Sequence, residues 1–206
     1  MRTLVIDTAT EACSVALFDN DQLIARQHDV VGRGHAEHLV RIIASLPDKG
    51  RAERIAVDVG PGSFTGVRIG LAAARALAFA WEAQLTGYSA LAMIAITARK
   101  QMDMREDSIT VAITGGHGEL FWQRFVGDTL DPLGPLASTP IDMLAALATD
   151  AKIYGTGAQA LIAARGSGEA VPLHPDAGDY MALPLPFTRL PPSPLYGRGA
   201  DAKPMT

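Results

Sequence analysis

The chain has 206 residues, 48% hydrophobic and 19% charged, with a net charge of −4 and a single cysteine. This is enough apolar chain for one large or two small cores, while the acidic balance argues against a dominant nucleic-acid surface. Cys13 excludes an internal disulfide and fits a reducing compartment, and no uncharged apolar run reaches the roughly 18 residues of a membrane span, Arg68, Arg75 and Glu82 breaking the longest one.

The first residues, Met1-Arg2-Thr3-Leu4, run straight into a strand pattern without signal-peptide architecture, so a cytoplasmic location is expected. Thr3 to Asp7 is a short apolar strand ending on a carboxylate. Cys13 to Phe18 is a second, and Asp19-Asn20-Asp21 has hairpin-turn chemistry leading to a third over Gln22 to Asp29. A helix begins near His35, with Leu39, Ile42, Ile43 and Leu46 on one face and Pro47 at its end. A strand over Ile55 to Val59 enters the segment GPGSFTGVRIGL, Gly60 to Leu71, and an alanine-rich helix continues to Trp81. A strand near Leu85 to Tyr88 and an apolar helix over Ser89 to Lys100 close this half.

After a polar break at Gln101 to Asp107 the plan repeats. A strand (Ile109 to Ile113), a turn (Thr114 to Gly118) and a strand (Glu119 to Val126) lead toward a third strand. A helix after Pro140, the strand Lys152-Ile153-Tyr154, a glycine turn Gly155-Thr156-Gly157 and a helix over Ala158 to Arg165 follow. A meander followed by helix–strand–helix, given twice, predicts a duplicated α/β fold of the actin-like (ASKHA, ribonuclease H-like) type. Its two lobes carry mixed sheets flanked by helices, the second reduced. The expected divisions are 1–104, 105–182 and a proline-rich tail, 183–206, extended rather than helical and packing back on the first lobe. Aligning strand ends sets Thr114 opposite Asp7.

Strand, glycine turn and helix in that order make a common phosphate site. Yet Val67 stands where a Walker loop needs Lys, and Thr65 where a dinucleotide GxGxxG needs Gly. The elbow residues Gly60, Gly62, Ser63, Thr65 and Gly66 therefore form either a divergent nucleotide cradle or a structural turn. Asp7 beside Thr8 reads as a turn cap or as a holder of hydrated Mg²⁺. With Gly155 and Gly157 these residues make up the nucleotide site of the alternative function, an actin-like ATP-dependent phosphotransferase or ATPase. His35 and His38 lack the further ligands of a zinc site, Glu37 does not create HExxH, and Ser63 does not lie in GxSxG. No metal site and no catalytic residue is expected.

The helix after the elbow is small and apolar around most of its circumference. Arg68, Arg75 and Glu82 form a stripe about one residue wide, where a surface helix normally carries a broad polar face. The helix is either sandwiched within the domain or packs on a second chain, with the preceding helix alongside it.

Four stretches together resemble the TsaB family: IDTATEACSVAL (Ile6 to Leu17), GHAEHL (Gly34 to Leu39), GPGSFTGVRIGL, and PLYGRGADAKP (Pro194 to Pro204). The resemblance covers essentially the whole chain in order. It implies an actin-like fold and a family once described as glycoproteases. It further implies a non-catalytic scaffold that activates TsaD, the transferase of N6-threonylcarbamoyladenosine (t6A) synthesis at position 37 of tRNA. TsaD would dock on the first two long helices, and the ATPase TsaE would join the pair. ATP and metal are expected on those partners, with no cofactor on this chain, no membrane, and tRNA only indirectly. TsaD carries HxxxH where this chain has His35-Ala36-Glu37-His38. The expected partner surface is His35, His38, Ile42, Arg68, Ile69, Ala72, Arg75 and Ala76, and homodimerisation of the free chain stays open. Relatives read like DARRGEVYW where this chain has Thr114 and Gly116, so the Asp and Arg usual there are missing.

Overall fold

The computed structural model describes residues 1–102 and 108–195. The expected lobe boundary at 104–105 and the stretch from Tyr196 to Pro204 lie outside the described residues. Strands β1 (Arg2–Asp7), β2 (Ala12–Asp19) and β3 (Gln22–Val30) form an antiparallel meander. Asn20 and Asp21 both have positive φ, the conformation a two-residue hairpin turn demands and that Asn and Asp tolerate. β4 (Arg54–Asp58) and β5 (Gln84–Tyr88) add in parallel, giving the order β3-β2-β1-β4-β5. Helices α1 (His35–Ser45) and α2 (Phe64–Trp81) are the crossovers. α1 buries the predicted stripe of Leu39, Ile42 and Ile43.

The second sheet repeats this with order β11-β10-β6-β7-β8 and β9 also on β7. Its strands are β6 (Ser108–Gly116), β7 (Glu119–Val126), β8 (Asp131–Pro132), β9 (Ala137–Pro140), β10 (Lys152–Tyr154) and β11 (Glu169–Val171). Helices α4 (Ile141–Leu147) and α5 (Ala158–Arg165) are short. The architecture is the duplicated α/β actin-like fold that the repeated element order predicts. α3 (Ala90–Met102) packs on β6, β7 and β10 and on the returning chain, and Ala90 to Ala95 are wholly buried. A helix covered on all sides needs no polar stripe, which accounts for its uniform apolarity.

Three details depart from the sequence reading. The third strand of the second half is split into β8 and β9, and β11 is too short, with left-handed Gly166 and Gly168 before it, to show periodicity. The tail is not simply extended: α6 (Leu185–Thr188) forms with Pro186 in its first turn, where the missing N–H costs nothing. Finally, the chain returns to the first lobe before residue 183. Arg26 holds Asp176 with two donors, the Ala177 amide bonds Ser14 Oγ at 3.0 Å, and Tyr180 meets Tyr88 edge-on at 5.5 Å.

Candidate functional site

β4 ends at Asp58, and the chain turns through Val59-Gly60-Pro61-Gly62, with a cis Gly60–Pro61 bond, into α2. The Ser63 amide donates to Ala9 O (2.7 Å), the Gly66 amide to Ser63 Oγ (3.2 Å) and the Val67 amide to Ser63 O (3.0 Å). Thr8 Oγ1 donates to Gly66 O at 2.8 Å. A Cβ at Gly62 would collide with the Ala9 carbonyl, one at Gly66 with the Thr8 carbonyl, and one at Gly70 would stand 2.5 Å from Thr8 Oγ1. The glycines thus seat the first turns of α2 directly on the β1–β2 turn. A phosphate cradle requires amides aimed outward; the amides of Ser63, Gly66 and Val67 are bonded within the chain.

Behind the elbow lie two carboxylates with no basic partner among their hydrogen bonds. Asp7 accepts from the Ala9 amide (3.1 Å) and meets Tyr88 Oη (2.8 Å), while Asp58 accepts from the Thr8 amide (2.9 Å). Both are buried, Asp7 at 1% exposure. Burial pushes the Asp7 carboxyl up to about 6, and burial together with the Asp7 charge holds Asp58 well above the usual carboxylate range. The Ala9 amide and the Tyr88 hydroxyl, which favour the ionised form, only partly offset this burial. Tyr88 has one proton and two neighbouring acceptors, Ile6 O (3.0 Å) and Asp7. Asp7 passes from neutral to charged as pH rises through about 6, and its burial leaves no face open to solvent for a hydrated cation.

The second glycine turn packs similarly. The Gly157 amide donates to Ala112 O (3.0 Å), and a Cβ on Gly155, whose φ is +106°, would collide with that same carbonyl. This contact resembles that of Ser63 on Ala9, and the hairpin registers set Thr114, paired with Leu120 before the β6–β7 turn, in correspondence with Asp7, paired with Ser14 before the β1–β2 turn. Thr114 differs from Asp7 in its setting, being exposed where Asp7 is buried. β6 runs on to Gly116 before its hairpin and carries Thr114 out to an exposed position bonded to Thr156. Between the lobes lies an open cleft of about 440 Å³, lined among others by Thr10, Glu11, Arg33, Thr65, Thr114 and Thr156. Asp7, Thr8, Gly155 and Gly157 do not line it.

The other predicted residues divide by the face they occupy. Arg68, Ala72, Arg75 and Ala76 stand on the outer stripe of α2, with Ile69 at its edge. Ile42 is 2% exposed and belongs to the core under α1. His35 is buried with Nε2 on Thr10 O (2.9 Å), fixing the start of α1. These two side chains cannot contribute to an outer surface, because the stripe that makes α1 amphipathic turns them inward. His38 is half-buried and bonds Asp29 at 2.9 Å. Among the described residues no group of three or more His, Cys, Asp or Glu could hold a metal.

Three exposed side chains complete the outer stripe: Phe79 (90%), Phe64 (66%) and, on α1, Val40 (65%). The Arg68 guanidinium lies 3.2 Å above the Phe64 ring. Phe79 was legible, since 68, 72, 75 and 79 recur at helical spacing on one face.

A family model described as TsaD, tRNA N6-adenosine threonylcarbamoyltransferase, matches residues 24–168. The chain belongs to the TsaD family. The matched region runs from β3 through α5, taking in both glycine elbows and the α1–α2 pair. Among the similar curated proteins are several named TsaB. That of Escherichia coli (strain K12), tRNA threonylcarbamoyladenosine biosynthesis protein TsaB, is 38% identical over 62% of this chain and 56% of its own length. This chain therefore spans a little over half the length of that relative. An uncharacterized protein of Mycobacterium tuberculosis (strain ATCC 25618 / H37Rv) is 31% identical over 98% of this chain and 94% of its own. YeaZ from Pseudomonas aeruginosa superposes with a TM-score of 0.74 at 28% identity, over 88% of this chain and 90% of that one. No helix among the described residues is long and apolar enough to cross a membrane.

Proposed function

We propose that this TsaD-family chain serves t6A biosynthesis as a non-catalytic subunit that binds and activates a TsaD-type transferase acting on adenosine 37 of tRNA. The observation that carries the reading is the outer stripe of α2, where Phe64, Ala72, Ala76, Phe79 and Ala80 lie exposed around Arg68 and Arg75. An apolar, aromatic and arginine-bearing face of this kind is the composition of a protein interface. The carboxylates behind the elbow support the same reading, because Asp7 and Asp58 are buried and neither lines the interlobe cleft. On this proposal the nucleotide and metal of the reaction reside on TsaD and on the ATPase TsaE, and tRNA is met only through the complex. The test is co-purification with a TsaD partner. Arg68→Glu with Ala76→Asp abolishes it while the free chain keeps its melting temperature; retained co-purification overturns the proposal.

A further inference from the structure

The C-terminal strap is pinned to the first lobe by an unusual set of contacts. Leu190 exchanges backbone hydrogen bonds with Gly87 of β5 (2.8 and 3.0 Å). Gly87 is required there, since a Cβ would stand 2.5 Å from Val59 Cγ1 and 2.8 Å from Pro191 O. Two residues on, Arg75 Nη2 donates to Pro192 O at 2.7 Å. Three further on, the Leu195 amide donates to Val59 O at 2.7 Å, beside the elbow. The strap therefore runs from the sheet edge to the root of α2, and it is tied to the helix through Arg75, a residue of the exposed stripe.

Helical spacing fixes on which side it lies. Phe64, Arg68 and Arg75 share one edge of the stripe, and Ile69, Ala73, Ala76 and Ala80 share the other. Ile69 faces the cleft with His35, Ala36 and Glu37 of α1. The stripe is thus bordered by α1 on one side and by the strap on the other. Leu195 remains 37% exposed and Ser193 exposed at this border.

We infer that the strap from Leu190 to Leu195 is a third element of the partner surface, held beside α2 by Arg75 acting as a positioning residue. The occupant is the TsaD-type subunit of the proposed function, and the inference rests on that reading. The partner covers α1, α2 and strap as one continuous face, contacting apolar side chains across the α2–strap border. Arg75 serves this surface by fixing the strap as well as by its own exposure, which a Lys cannot reproduce with the same planar donor geometry.

The experiment measures affinity of the purified full chain for a purified TsaD partner by calorimetry, with hydrogen exchange on the free chain alongside. Ser193→Arg with Leu195→Glu weakens binding at least about tenfold, an ordinary interface-residue effect, and leaves exchange elsewhere unchanged. Arg75→Ala speeds exchange at the Leu190 and Leu195 amides of the free chain and weakens binding, and Arg75→Lys restores neither fully. Phe79→Asp serves as the control on α2. If Phe79→Asp weakens binding and the strap variant binds like wild type, the strap inference falls and the scaffold reading stands. If neither variant weakens binding, both fall. Unchanged exchange in Arg75→Ala overturns the positioning role.

Discussion

The two glycine elbows solve one packing problem and then part company. In each lobe a strand ends, glycine removes a Cβ that would strike a backbone carbonyl, and the helix N-terminus hydrogen-bonds to that carbonyl: Ser63 to Ala9 in the first lobe, Gly157 to Ala112 in the second. The first elbow then launches an 18-residue helix with Phe79 on its outer face, the second an 8-residue helix. Behind the first lie the buried Asp7 and Asp58; at the matching strand end in the second stands the exposed Thr114. A shared backbone device thus carries no chemistry by itself. What distinguishes the lobes is the side chains that each helix exports and each strand end hides.

Substitution of the glycines has the largest expected effect and tests whether the elbows are packing devices. Gly66→Val must displace the Thr8 carbonyl and Gly155→Val the Ala112 carbonyl, the latter at a φ that disfavours any side chain. Each destabilises by about 3 kcal/mol or more, at the upper end of single substitutions. At this chain length that lowers the melting temperature by roughly 6–12 °C. Calorimetric melting within a degree or two of wild type in either variant would break the comparison at its base.

Next comes the asymmetry of the exported faces. Phe79→Asp weakens binding to a TsaD partner by about 2 kcal/mol or more, or roughly thirtyfold, as expected of a buried aromatic anchor. The free chain, in which Phe79 touches water, keeps its stability within about 0.5 kcal/mol. Leu147 of α4 is likewise exposed, at 62%, and Leu147→Asp is expected to leave partner affinity at wild type. Equal losses from both variants would show that the two lobes do not differ in this way.

The sequence carried the architecture well because the periodicities were clean. The Leu39–Ile42–Ile43 stripe, the Asn20-Asp21 turn and the repeated element order all reappear in the structure. It carried side-chain direction less well. His35 and Ile42 look like surface candidates by composition, yet both face inward, and only the helical phase of Leu39 and Ile43 reveals this for Ile42. Asp58 is hidden within a five-residue apolar run, and nothing local shows that parallel pairing beside β1 brings it behind the same turn as Asp7. The strap was the least legible part. Its tie from Pro192 to Arg75 spans 117 residues, and the returning chain before it is held by Asp176 on Arg26 across 150; proline content alone says nothing about either.

A smaller effect sharpens the difference in buried charge. Asp7 titrates at about 6 when folded, against 3.8 for the ordinary carboxyl, and Asp58 is raised further in the same direction. The folded state therefore binds more protons than the unfolded one above pH 4. Linkage then makes stability fall as pH rises from about 4 through 6, with the larger part gone at neutral pH. Asp7→Asn keeps the acceptor for the Ala9 amide and supplies a donor to Tyr88, reproducing the protonated arrangement without a charge. At pH 7.5 it stabilises the chain by on the order of 1–3 kcal/mol, and it flattens the fall between pH 4.5 and 7.5. Thr114→Val in the second lobe, at an exposed position without a carboxylate partner among its hydrogen bonds, leaves that slope unchanged. Denaturant melts across this range decide the matter. A stability that rises toward pH 7 in the wild type contradicts the raised Asp7 and Asp58 carboxyls.

The smallest expected effect is no effect, and it bears on the alternative of an actin-like phosphotransferase. Such an enzyme needs outward amides at the elbow and an ionised carboxylate facing the cleft. Here the amides of Ser63, Gly66 and Val67 are bonded internally, and Asp7 is buried beside Tyr88. The interlobe cleft offers Thr10, Thr114 and Thr156 with the carboxylate of Glu11 among its lining, and a triphosphate would meet that negative charge with Arg33 as the cation opposite. Titration of the isolated chain with millimolar Mg²⁺-ATP is therefore expected to release no heat of binding, in the wild type and in Asp7→Asn alike. Saturable binding that Asp7→Asn removes would restore the phosphotransferase reading, and it would mean that the first elbow differs from the second in chemistry as well as in the helix it carries.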